Sequence, residues 1–152
     1  MTVMIQGSQV RDIALGRPAS KATGAISGNP TTPLFTIAGG EVMITSVYGL
    51  VTTALTNATG TYALQQNPTA GDTTTLVTAT ALGATDVSVG STLGLTHGTT
   101  VAPAFLGGGQ VRLDTVVTTG QIEFVGALSA DGAITFNVTW IPLTDGATLV
   151  AA

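Results

Sequence analysis

From residue 34 onward, apolar and polar positions alternate with a period of two, the pattern of strands that bury one side. It is clearest near the end, where Ile134, Phe136, Val138 and Trp140 stand opposite Thr135, Asn137 and Thr139. Ahead of that run, Val111, Leu113, Thr115 and Val117 alternate with Gln110, Arg112, Asp114 and Thr118, and Ile122, Phe124 and Leu128 share one side of the next segment. Gly120 separates the first two runs and Asp131-Gly132 the last two, so the pattern predicts a three-stranded antiparallel meander with one apolar face.

A second group of strands lies earlier. Residues 34–38 and 41–53 are β-prone and separated by Gly39-Gly40, a pair able to take positive φ without steric cost, which predicts a hairpin. In the longer run Val42, Ile44, Tyr48 and Leu50 fall on one face and Met43, Val47 and Val51 on the other. Apolar groups on both faces predict a strand covered on both sides, by a second sheet or a neighbouring subunit. Residues 61–66 and 73–80 read as strands joined by a turn from Asn67-Pro68 to Gly71-Asp72. Residues 82–98, interrupted by glycine every few positions, read as short strands and loops. Two sets of strands, each with an apolar face, predict an all-β fold: an antiparallel β-sandwich or jelly-roll-like barrel of about eight strands over residues 34–152.

Residues 1–33 differ. They lack sustained periodicity and hold Pro18, Pro30 and Pro33 among scattered Gly and Ser, which predicts an extended N-terminal arm. Charge marks the same division. The arm carries Arg11, Arg17 and Lys21 against Asp12, whereas the rest carries Arg112 against seven carboxylates, so a basic arm precedes an acidic body in a chain of net charge −4.

Composition sharpens the picture. Charged residues are 8% of the 152 and hydrophobic residues 44%, against about a quarter charged in ordinary soluble domains. Threonine, β-branched and suited to strands, supplies about a fifth of the chain. A surface this poor in charge has little to keep it from associating, so much of it is expected to be covered in an oligomer or larger assembly. The absence of cysteine excludes disulfides and thiolate chemistry. The first residues show no signal-peptide pattern and no segment reaches the length of an apolar membrane span, so a product made in the cytoplasm, with no membrane partner, is expected.

Candidate chemistry is sparse. His97, the one histidine, lies in a Gly-rich stretch and reads as a loop residue; alone it completes neither a zinc site nor a triad. The carboxylates are isolated and mostly at turns, where Asp serves backbone conformation. Gly107-Gly108-Gly109 lacks the Lys-Ser/Thr of a phosphate loop and reads as a turn. No catalytic residue, cofactor or metal is expected. An acidic body with 5% aromatic residues argues against direct binding of nucleic acid. The basic residues of the arm, Arg11, Arg17 and Lys21, are the candidate contacts with carboxylates on a protein partner.

Two stretches resemble small virion proteins of tailed bacteriophages, in particular capsid decoration (cement) proteins. One is residues 34–53, Leu-Phe-Thr-Ile-Ala-Gly-Gly-Glu-Val-Met-Ile-Thr-Ser-Val-Tyr-Gly-Leu-Val-Thr-Thr; the other is residues 139–152, Thr-Trp-Ile-Pro-Leu-Thr-Asp-Gly-Ala-Thr-Leu-Val-Ala-Ala. The resemblance extends over residues 20–55 and 130–152. It implies a non-enzymatic protein on the outside of an icosahedral capsid, bound to the major capsid protein as homotrimers that bridge capsomers and stiffen the head. A host-recognition or tail-fibre-associated β module is the alternative, with residues 85–109 as its contact loops.

Overall fold

The computed structural model describes residues 6–57, 59–82, 87–97, 103–107 and 112–152. Among them the chain forms one short helix, α1 (Gly7–Leu15), and twelve strands: β1 (Arg17–Ala22), β2 (Ile26–Gly28), β3 (Thr31–Ala38), β4 (Val42–Thr53), β5 (Thr61–Pro68), β6 (Thr74–Ala81), β7 (Thr92–Thr96), β8 (Ala104–Gly107), β9 (Thr115–Val117), β10 (Gly120–Ala127), β11 (Ala130–Pro142) and β12 (Thr148–Ala151). The fold is all-β, as the periodicity predicts.

The strands run in the order β1-β11-β4-β7-β8-β6-β5-β10-β3-β12, with β2 beside β11 and β9 beside β4. One layer is centred on β11 and β4, the other on β10, β3 and β5. Two narrow joints connect them into a nearly closed barrel. At one, β6 and β8 meet in parallel at Thr78 and Ala104. At the other, Lys21 of β1 donates from Nζ to the carbonyl oxygen of Ala152, beside β12.

Side chains from both layers fill the space between. Tyr62, Phe35, Phe124, Phe136, Ile44 and Ile134 are among those fully buried. Rings carry the packing across: Phe124 of β10 lies 5.8 Å from Phe136 of β11, which lies 5.8 Å from Phe105 of β8. Each buried side chain of this size contributes about 1.5–3 kcal/mol by leaving water.

Strand existence follows the sequence closely; pairing does not. β5 and β6 form the expected antiparallel pair. The expected hairpin about Gly39-Gly40 is absent, because β3 pairs with β10 and β12 while β4 pairs with β11, β7 and β9. The two glycines carry the chain from one layer to the other. Their φ values are 76° and 138°, and a Cβ on Gly40 would stand 2.5 Å from that of Thr144; close approach to the turn after β11 is what requires glycine here.

The expected meander is replaced in the same way: β9 pairs with β4, β10 with β3 and β5, and β11 with β1, β2 and β4. β9, β10 and β11 alternate between layers, which buries their apolar sides against the other sheet. Asp131-Gly132 lies inside β11, and the turn falls at Leu128-Ser129, both at positive φ, leaving Leu128 exposed rather than on the face of Ile122 and Phe124. Within the expected arm, residues 17–22 and 26–28 are strands on β11, residues 31–33 begin β3, and residues 7–15 are α1. The expected short strands over residues 82–98 are represented by β7 and a bridge between Leu55 and Val87; Gly83, Ala84, Thr85, Asp86 and Gly98 lie outside the described residues. So do Gly108, Gly109, Gln110 and Val111, which carry most of the expected glycine turn and the start of the strand after it.

Candidate interaction surface

The inner side of β4 begins with Val42 and Ile44 and continues with Val47 and Val51, all buried. The change of parity between them arises at Thr45, an extra residue opposite the junction of Thr139 and Trp140. Its hydroxyl donates to the carbonyl of Thr139 at 3.0 Å and its own carbonyl accepts from the backbone N–H of Leu113 at 3.1 Å, so the bulge is satisfied on both sides. The outward residues of β4 are therefore Met43, Ser46, Tyr48 and Leu50. Contrary to the expected grouping, Tyr48 and Leu50 are partly exposed, at 47% and 37%.

Register extends this outer side over four strands. Leu50 faces Thr135, which faces Ala22; Tyr48 faces Asn137, which faces Ser20; Ser46 faces Thr139, which faces Pro18. Met43 lies between Ile141 and Val116, and Val116 is 49% exposed. Among the described residues of these four strands, no ionisable side chain but the Tyr48 phenol lies on this outer side. A shallow depression of about 330 Å³ lies between Tyr48, Pro18, Ser20 and Thr139. Among the described residues, only one side of β4 is covered; the other is this face.

The charged residues of β1 turn the other way. Arg17 holds its guanidinium 5.4 Å from the centre of the Trp140 ring, a cation–π contact that closes one end of the core. Lys21 bridges the joint to Ala152. Arg11 sits on α1, exposed, and among the described residues the ion pair formed is that of Arg112 with Asp114, at 3.0 Å. The three basic candidates are thus not gathered at one place. Arg17 and Lys21 have partners in their own chain, and Arg11 is left as the cation facing solvent.

Helix α1 buries none of its residues. Val10, Ile13 and Ala14 share one side at i, i+3 and i+4 spacing, with Val10 53% and Ile13 76% exposed. Gln9 Oε1 accepts from the Gln6 N–H at the start, and the Gly16 N–H donates to the Asp12 carbonyl at the end. Gly16, φ 94°, is the one residue between helix and sheet; a Cβ there would stand 2.8 Å from the Trp140 carbonyl. Gly16 therefore sits at the margin of this outer face, beside the Thr139 and Ile141 side chains.

The remaining polar groups are used inside the fold. The Asp131 carboxylate, half-buried, accepts from the N–H and hydroxyl of Thr56, the Asn57 N–H and the Tyr62 hydroxyl. Burial pushes its pKa up, but the hydrogen bonds from Thr56, Asn57 and Tyr62 outweigh that and hold it below the ordinary value. Glu123, buried on β10, accepts from Gln65 and Asn67 at 2.7 and 3.1 Å. His97 is exposed just past β7. Among the described residues no three His, Asp or Glu side chains cluster to hold a metal ion, and no helix is long and apolar enough to cross a membrane.

No family model matches the chain, and no curated protein or solved structure matches it.

Proposed function

We propose that this chain is a virion structural protein of a tailed bacteriophage, a decoration or cement protein that binds the outside of the icosahedral head and acts by binding rather than catalysis. The observation supporting this reading is the outer side of β1, β11, β4 and β9, four strands wide and, among the described residues of those strands, free of charged side chains. A face of Tyr, Leu, Met, Val, Thr and Ser resembles the core of a protein interface, where charge is depleted and aromatic residues and Met are enriched. The sequence resemblance supplies the setting. In it, the uncharged flank meets sister copies while Arg11 faces carboxylates of the major capsid protein. Modest contacts repeated over a lattice give strong retention, and subunits lying across joints between capsomers raise the free energy needed to part them.

Cryo-electron microscopy of particles carrying the protein tests this. Density at regular positions over the head is expected. Density confined to the tail tip would overturn the reading in favour of a host-recognition module, and particles without the protein would overturn both.

A further inference from the structure

The chain holds two Asp-Gly dipeptides, Asp131-Gly132 and Asp145-Gly146, and the fold treats them oppositely. In such a pair the glycine nitrogen reaches the preceding carboxyl carbon with no side chain in its way. At the first, β11 blocks the approach. The Asp131 carboxylate accepts from Thr56, Asn57 and Tyr62. Gly132 is paired with Ile26 of β2, and a Cβ on it would stand 2.5 Å from Leu55 Cδ2 and 2.6 Å from the Ala54 carbonyl oxygen. A carboxyl must be neutral to give up its hydroxyl as water. Burial raises the Asp131 pKa, but its hydrogen bonds outweigh that and keep it below the ordinary value, so the reactive form is scarce there.

Asp145-Gly146 forms the turn between β11 and β12. The Thr144 carbonyl accepts from the Ala147 N–H at 3.0 Å, and Gly146, at φ 82°, takes the third position, where a type II turn calls for glycine. Both residues are exposed, and a Cβ on Gly146 would meet nothing within 4 Å. Among the described residues, the Asp145 side chain has no hydrogen-bond or ionic partner, and neither has the peptide group between Asp145 and Gly146, so that peptide rotates without breaking a bond. A cavity of about 290 Å³, lined by Arg17 and residues 142–148, lies against the turn. It leaves room for the carboxyl to swing over the backbone and for water to follow.

We infer that Asp145-Gly146 is a self-modification site, where aspartate converts to isoaspartate in the folded chain and weakens the attachment of β12. The Gly146 nitrogen attacks Asp145 Cγ; an N–C bond forms, the bond from Cγ to its hydroxyl breaks, and the hydroxyl leaves with the amide proton as water. Water then opens the cyclic imide. Attack at the side-chain carbonyl restores aspartate, and attack at the main-chain carbonyl leaves the backbone running through the β-carbon. The chain through the turn is then longer by one methylene, about 1.5 Å. This turn has little slack. The Leu143 and Thr144 N–H groups donate to the Glu41 carbonyl at 2.9 and 3.3 Å, and Ala147 and Leu149 just beyond are buried. The added length falls on β12, which pairs with β3 at the end of the strand order and leads to the Ala152 carbonyl that accepts from Lys21 at the barrel joint.

Peptide mapping of the full-length protein after incubation at neutral pH, with isoaspartate read by isoaspartate-specific enzymatic methylation, tests the assignment. Isoaspartate is expected at position 145 in several-fold excess over position 131, and the excess is expected to vanish in urea, where both dipeptides are released. Equal amounts in the folded protein, the same excess in urea, or a position 145 that reacts only in urea would overturn the inference. Asp145→Glu supplies the second measurement, because its longer side chain closes an imide far more slowly and an exposed residue without a partner tolerates the change. Incubated wild-type protein is expected to exchange the amide hydrogens of β12 several-fold faster than fresh protein, while D145E keeps its initial rate. The same acceleration in both proteins, or in neither, would overturn the effect on β12. Both readouts use the isolated chain and are independent of the proposed virion role.

Discussion

Asp131 illustrates how a single carboxylate is used in a chain with few of them. Four donors from Thr56, Asn57 and Tyr62 converge on it, fastening the segment after β4 to the start of β11. Its pKa is lowered in the folded state, against an ordinary value of about 3.9. A group with a depressed folded pKa contributes stability above its unfolded pKa and loses it as pH falls through the folded one. Asp131→Asn is therefore expected to cost about 1–2 kcal/mol at neutral pH and to flatten the loss of stability below about pH 4, read by urea unfolding across pH. An unchanged acid limb would show that the clasp carries no linkage. Arg17 and Arg11 separate in the same fashion. Arg17→Ala is expected to lower stability by about 0.5–1 kcal/mol through the lost contact with Trp140. Arg11→Ala is expected to leave the melting temperature unchanged and to weaken head binding most at low salt.

At the scale of elements, layer-to-layer crossings carry the architecture, and Gly40 is the most constrained of them. Gly40→Ala places a methyl group 2.5 Å from the Thr144 Cβ at φ 138°, so a loss of about 2 kcal/mol or more is expected in thermal unfolding; a neutral result would mean the turn after β11 yields freely. The sequence disclosed where strands lie because burial of one side imposes alternation. It did not disclose which strands pair, because alternation records which side is buried and not what lies beside the edge. Gly39-Gly40 and Asp131-Gly132 carry hairpin chemistry, yet the first is a crossing and the second is inside a strand, while the true turn at Leu128-Ser129 has no glycine to mark it. Nothing in the sequence marks the bulge at Thr45, so simple alternation groups Tyr48 with Val42 and Ile44. In β1, Arg17, Ala19 and Lys21 alternate with Pro18, Ser20 and Ala22; with no apolar contrast, only the backbone ladder to β11 identifies a strand. The candidate contacts were legible as basic residues, but their division into Arg11 on a helix and Arg17 and Lys21 with partners on the barrel required the fold.

For the whole molecule, the decisive property is how charge is distributed, more than how much there is. Among the described residues, Asp131 and Glu123 are held in clasps, Arg17 and Lys21 lie on a ring and at a barrel joint, Arg112 pairs with Asp114, and the outer side of β1, β11, β4 and β9 is left without charge. A barrel needs no such face to fold, since its core lies between the layers and is complete in one chain. The face instead suits contact with other subunits, as the proposed shell-stabilising role requires. Comparing matched heads with and without the protein for the temperature at which they rupture and release DNA tests this most directly. The account predicts a higher rupture temperature for the decorated heads; the same temperature for both would contradict it.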